Sequence, residues 1–113
     1  MSEASNRFDR AIWDTVASIP RGQVLSYGEV ARAAGYPRHA RMVSKAMSRC
    51  ETALPWYRVV RSDRTLAFNP ESNIYQRQKH LLEKEGVRFV NGRALAVESD
   101  KNTDLDILLW GPE

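Results

Sequence analysis

A chain of 113 residues that is 42% hydrophobic can build one domain with a single modest core, and its apolar runs are too short to span a membrane. The single cysteine, Cys50, excludes an internal disulfide and gives no metal-ligand spacing; with no signal-peptide layout at the start, a reducing intracellular setting is expected, cytoplasmic or nucleoid-associated and without cofactor. The net charge of +3 is unevenly spread: residues 30–64 carry eight basic and two acidic side chains, a local +6, whereas from Arg93 onward two basic residues face five acidic ones, a local −3.

Phe8, Ile12, Val16 and Ile19 recur at three- and four-residue steps. That spacing predicts an amphipathic helix over 6–18, which Pro20 and Gly22 end. Val24-Leu25 reads as a short extended piece. Ser26-Tyr27-Gly28-Glu29 has the form of a capping box, in which the serine hydroxyl accepts from the Glu29 amide and the Glu29 carboxylate accepts from the Ser26 amide. A short helix through Val30, Ala31, Ala33 and Ala34 follows, with Gly35 as its stop. Pro37 suits the first turn of the next helix, expected over 38–49, because its missing N–H is not needed there. Val43, Ala46, Met47 and Cys50 supply the buried side of that helix. Arg38, Arg41, Lys45 and Arg49 follow at steps of three, four and four along one exposed strip. Two short helices across a tight glycine turn make a helix-turn-helix pattern, the second being the recognition helix.

Pro55-Trp56-Tyr57-Arg58-Val59-Val60 comes next, then a turn at Ser62-Asp63-Arg64 and a short extended piece at Thr65-Leu66-Ala67-Phe68. Asn69-Pro70 marks the start of a helix that runs through Ile74, Gln78, Leu81, Leu82 and Glu85 to Gly86. Asn91-Gly92 between Val87-Arg88-Phe89-Val90 and Arg93-Ala94-Leu95-Ala96-Val97 predicts a hairpin, because a type I′ turn needs two residues tolerant of positive φ. Thr103 to Trp110 reads as a last helical stretch. The expected fold is mainly α with a small β hairpin, a winged helix-turn-helix in one domain over 1–113.

Four stretches, in this order and spacing, resemble the DNA-binding domain of the O6-alkylguanine-DNA alkyltransferases. They are Ile19-Pro20-Arg21-Gly22-Gln23-Val24, Ser26-Tyr27-Gly28-Glu29-Val30-Ala31, Pro37-Arg38-His39-Ala40-Arg41-Met42-Val43 and the run from Pro55 to Val60. Leu81 to Val87 follows as in that family, so the resemblance covers about residues 6–98. The enzymes carry a nucleophilic cysteine in a Pro-Cys-His-Arg-Val run; Trp56 stands in its place here, and an indole cannot attack an alkyl group. Trp56 and the tail Leu108-Leu109-Trp110-Gly111-Pro112 resemble the alkyltransferase-like subfamily.

The resemblance implies a non-enzymatic protein that binds O6-alkylguanine in double-stranded DNA by nucleotide flipping. It also implies a flag for nucleotide excision repair proteins, and action as a monomer away from membranes. Trp56, Tyr57, Val59 and Met47 would form the lesion pocket, the backbone carbonyls of Trp56 and Val59 reading the guanine edge. Arg41 would fill the gap left by the extruded base, and Tyr27 would press on the neighbouring phosphate. Arg38, Lys45 and Arg49 are candidates for phosphate contacts. Tyr57 stands where the enzymes have an activating histidine, and Glu85 matches the glutamate behind it, leaving Glu85 a structural hydrogen-bonding or ionic role. The loop Phe68-Asn69-Pro70-Glu71-Ser72 differs from the family's Tyr-Ser-Gly-Gly type and implies a roomier site.

Bland readings stand beside these. Trp56 and Met47 also suit a core, Tyr27 a simple first helical residue, and Arg41 a solvated cation. Three competing functions remain: an alkyltransferase using Cys50, a winged-helix transcription regulator, and a plain basic DNA-binding domain. Cys50, at a helix C-terminus where the dipole disfavours a thiolate, is a poor nucleophile. The regulator lacks an evident dimerisation helix.

Overall fold

The computed structural model describes residues 3–95, with side chains from Arg7 onward. The helical reading of Thr103–Trp110, the tail motif and the far end of the hairpin lie outside them. Helix α1 spans Glu3–Ala17, β1 Leu25–Ser26 and α2 Tyr27–Ala33. A 3-10 turn at Ala40–Met42 leads into α3, Val43–Ser48, and a second at Trp56–Arg58 leads into β2, Val59–Val60. Helix α4 covers Asn73–Lys84, and β3 (Arg88–Val90) and β4 (Arg93–Leu95) close the described chain. The fold is the mainly helical, winged arrangement expected.

Phe8, Ile12, Val16 and Ile19 do form one face, and the last three are buried. The capping box is complete: Glu29 N–H donates to Ser26 Oγ at 3.0 Å, and Ser26 N–H to Glu29 Oε1 at 2.8 Å. The helix expected over 38–49 is shorter and broken. Arg38 and His39 lie in the turn before it, and neither His39 nor Met42 caps the following segment with its side chain. The His39 ring packs at 5.6 Å from both Phe8 and Tyr36, and its backbone, at φ −116° and ψ 29°, is off the helical path. Helix α4 likewise starts later than Asn69-Pro70, because Ser72 accepts from Tyr75 N–H and takes the N-cap. The stretch 65–68 forms no strand, only a single bridge from Thr65 to Arg93.

The parallel pair β1–β2, in register Leu25↔Val59 and Ser26↔Val60, divides the interior. Successive residues of an extended chain point to opposite sides. Accordingly Leu25 and Val59 enter a core with Ile12, Val16, Val30, Val43 and Ala46, whereas Val24 and Val60 enter another with Leu66, Leu82, Val87 and Ala94. The Pro55–Val60 run thus feeds into the seam between two cores.

Candidate functional site

The turn Trp56–Arg58 has no strand ladder of its own, so side chains from elsewhere fix it. Arg58 forks onto Glu85, with Nη2 to Oε2 at 2.6 Å and Nε to Oε1 at 3.0 Å, and its Nη1 donates to the Ile19 carbonyl at 2.7 Å. Glu85 also accepts from Gly22 N–H at 2.9 Å. Burial pushes the Glu85 carboxyl up, but the Arg58 hydrogen bonds, the Gly22 N–H and the Arg58 charge outweigh it, and its pKa falls below the ordinary value. Of the hydrogen-bonding and ionic roles expected for Glu85, the structure contains both. From α4, buried Gln78 donates through Nε2 to the carbonyls of Tyr57 and Val59, both at 3.1 Å. Its Oε1 has no partner among the described residues.

So held, Trp56 is half-buried and lines a cavity of about 520 Å³, with Tyr27, Met47, Cys50, Leu54, Phe68 and Ile74 among its neighbours. That is within the size range of small-ligand pockets, roughly 300–1,000 Å³, and its lining is mostly apolar. Trp56 meets Tyr57 and Phe68 edge to face, at 5.8 and 6.4 Å between ring centres. A second cavity of about 390 Å³ adjoins it, sharing Tyr27, Ser44 and Phe68 and adding Ala40, Arg41 and Ala67. Burial holds the Tyr27 phenol above its ordinary pKa of 10.0 although the Arg61 charge pulls the other way, so its hydroxyl remains a proton donor near neutrality.

The structure therefore gathers Trp56, Met47, Tyr27 and Arg41 around two adjoining cavities. Two expected pocket residues stand elsewhere. The Val59 side chain is buried in the first core, while its carbonyl accepts from Gln78 and keeps a second lone pair; Tyr57 packs against the second core and its ring meets that of Trp56. The Val59 placement follows from the start of β2, which turns side chains inward immediately after the 3-10 turn that holds Tyr57. Arg38, Arg41 and Lys45 are exposed. Arg49 is not a free cation: it forks onto Asp9 of α1 at 2.7 and 2.8 Å. Phe68, expected in the loop beside the pocket, is a cavity wall; Cys50 and Ile74 as cavity walls, and Gln78 as a strap, were not expected from the sequence. The one signal was for Gln78, a polar residue on the apolar stripe of α4. Among the described residues no cluster of acidic, histidine and cysteine side chains could hold a metal.

Residues 7–87 match the family model for the DNA-binding domain of 6-O-methylguanine DNA methyltransferase. The chain is 44% identical over 86 residues to alkyltransferase-like protein 1 of Schizosaccharomyces pombe, covering 74% of this chain and 80% of that protein. It is 40% identical over 87 residues to the DNA base-flipping protein of Escherichia coli, covering 75% of this chain and 66% of that one. A crystal structure of the S. pombe protein with damaged DNA containing O6-carboxymethylguanine superposes with a TM-score of 0.66 at 35% identity, over 95% of this chain and 97% of that one. The Mycobacterium tuberculosis alkyltransferase in complex with DNA superposes at 0.59, with 30% identity over 75% of this chain and 50% of its own.

Proposed function

The chain belongs to the family of the 6-O-methylguanine DNA methyltransferase DNA-binding domain, among its alkyltransferase-like members, and from that premise we propose that it binds O6-alkylguanine in duplex DNA without taking the alkyl group. The observation that carries this reading is Trp56 at the edge of a cavity of about 520 Å³, and it is supported by the resemblance of the Pro55–Val60 run to the enzymes' cysteine motif. The flipped base would enter beside the indole, Arg41 would occupy the vacated stack, and Tyr27 would bear on the phosphate. Stacking on an aromatic side chain is worth about 1–3 kcal/mol per base, comparable to the few kcal/mol spent on extruding a damaged base. An indole can therefore retain a base that a thiol would have dealkylated. Met47 would contact the base or its alkyl group; Arg38 and Lys45 would meet phosphates. The protein would act as an intracellular monomer that marks the lesion for excision-repair proteins, a role that rests on family membership alone.

The test is competition binding at fixed salt between duplexes bearing guanine or O6-methylguanine at one position. A clear preference for the lesion is expected, with Trp56→Ala weakening lesion binding about 5- to 150-fold. Equal affinity for the two duplexes would defeat the reading.

One observation favours a second reading enough to test it. Cys50 lines the same cavity as Trp56, its Sγ 3.3 Å from Thr52 Oγ1. Among the described residues, none lining that cavity is a base or a cation that could generate a thiolate. Intact-protein mass after incubation with the alkylated duplex separates the readings: an unchanged mass is expected, and a gain of one alkyl group, absent in Cys50→Ser, would install the enzyme.

A further inference from the structure

Tyr27 and Arg61 leave the same end of the β1–β2 seam. Ser26 pairs with Val60, so the next residue on each parallel strand is Tyr27 on one side and Arg61 on the other. Paired backbones at such a seam lie about 4.8 Å apart. The Arg61 backbone is fixed by a tight turn, its N–H donating to the Thr65 carbonyl at 2.9 Å and its carbonyl accepting from Arg64 N–H at 2.7 Å. Of the other charges of that turn, Arg64 is ion-paired with Glu29 at 3.0 Å. Asp63 is held by Thr65, accepting from its N–H at 3.1 Å and its Oγ1 at 2.6 Å, and keeps a negative charge that also faces Arg61. Arg61 is exposed and has no ion-pair partner among the described residues. Its positive charge nonetheless reaches the Tyr27 phenol.

We infer that Arg61 is a DNA-backbone contact, gripping together with the Tyr27 hydroxyl one phosphate at the mouth of the lesion cavity. This rests on the lesion-binding reading above and adds to it a cation outside the recognition helix. A phosphate oxygen accepts well from a phenol, and a guanidinium fork on a neighbouring oxygen supplies the charge that the neutral phenol lacks. The contact belongs to the backbone and carries no sequence information.

The experiment is the salt dependence of binding to two duplexes, one with a single O6-methylguanine and one with guanine, for the wild type, Arg61→Ala, Arg61→Lys, Tyr27→Phe and the double variant Arg61→Ala/Tyr27→Phe. Losing one phosphate contact lowers the slope of log affinity against log salt by about 0.9, or roughly eightfold in affinity near 0.1 M salt. Arg61→Ala should show that loss and Arg61→Lys should recover most of the slope. A shared phosphate also makes the double variant lose less than the two single variants added together. An unchanged slope in Arg61→Ala, with unaltered thermal stability, overturns the contact; strictly additive losses overturn the shared phosphate. A wild type with no lesion preference defeats the functional reading and still leaves the Arg61 slope as its own answer.

Discussion

The two cores on either side of the β1–β2 seam are built by different means. The first, around α1, α2 and α3, is packed by side chains at helical spacing. Its long-range polar contacts sit at the edge: Trp13 Nε1 donates to the Ala46 carbonyl, and Asp9 pairs with an Arg49 that is still 48% exposed. The second has fewer apolar members and is crossed by polar straps. Arg58–Glu85, Gln78 to the Tyr57 and Val59 carbonyls, and Arg64–Glu29 join residues 19 to 35 apart in sequence. The difference follows from what each half must hold. Regular helices satisfy their own backbones, whereas the irregular turn that presents Trp56 needs donors and acceptors brought from elsewhere.

The strongest way to break this comparison is Glu85→Gln. It leaves the Arg58 guanidinium, 13% exposed, without its counter-charge. Removing one partner of a buried pair costs about 3–5 kcal/mol, read from the urea midpoint. Asp9→Asn should cost clearly less, because the half-exposed Arg49 returns to water. A loss below about 1 kcal/mol for Glu85→Gln would mean that apolar packing alone holds the second half. Acid sharpens the test. The Glu85 carboxyl is depressed in the folded state, so its stabilisation is present above its ordinary value of 4.5 and is lost as pH falls through the folded value. The wild type should lose stability on acidification below that value, and Glu85→Gln should lose less over the same window.

The same contrast governs what could be read before the structure. The α1 face, the capping box and the Asn91-Gly92 hairpin were legible because each is a short-range pattern with its own period or turn chemistry. Trp56, Met47, Tyr27 and Arg41 were picked out through the motif set and do converge on adjoining cavities. Val59 is expected to act through its backbone carbonyl and Tyr57 through its place in the motif; only the structure shows that Gln78 donates to that carbonyl and that the Val59 side chain points into the first core. Arg49 stands at the C-cap of a helix shorter than expected, and a carboxylate 40 residues earlier captures it, a pairing no local spacing announces.

Ser26→Ala probes the join between the halves. Ser26 caps α2, whose helix belongs to the first core, while Glu29 of the same box holds Arg64 from the second. Loss of an N-cap hydroxyl costs about 0.5–2 kcal/mol. Because Ser26 is buried and its hydroxyl fixes the Glu29 amide, a value near the upper half of that range is expected. Thermal denaturation measures it. A double variant with Arg64→Ala should lose less than the sum if the box and the ion pair act as one joint, and the two losses should simply add if they are independent.

Gly92→Ala asks whether the hairpin belongs to the second half or merely hangs from it. Asn91 and Gly92 have φ of 54° and 78°, the pair of positive values a type I′ turn demands. A methyl group at Gly92 would meet nothing within 4 Å, so the change tests backbone conformation and no clash. Its cost should be about 1 kcal/mol. Ala94 of the hairpin is buried in the second core, and its N–H donates to the Arg64 carbonyl at 2.8 Å. If those contacts make the hairpin part of the cooperative unit, global stability falls by the full amount and unfolding stays two-state. If only the hairpin amides exchange faster while the global midpoint holds, it opens on its own, and the polar straps of the second half end at Arg64.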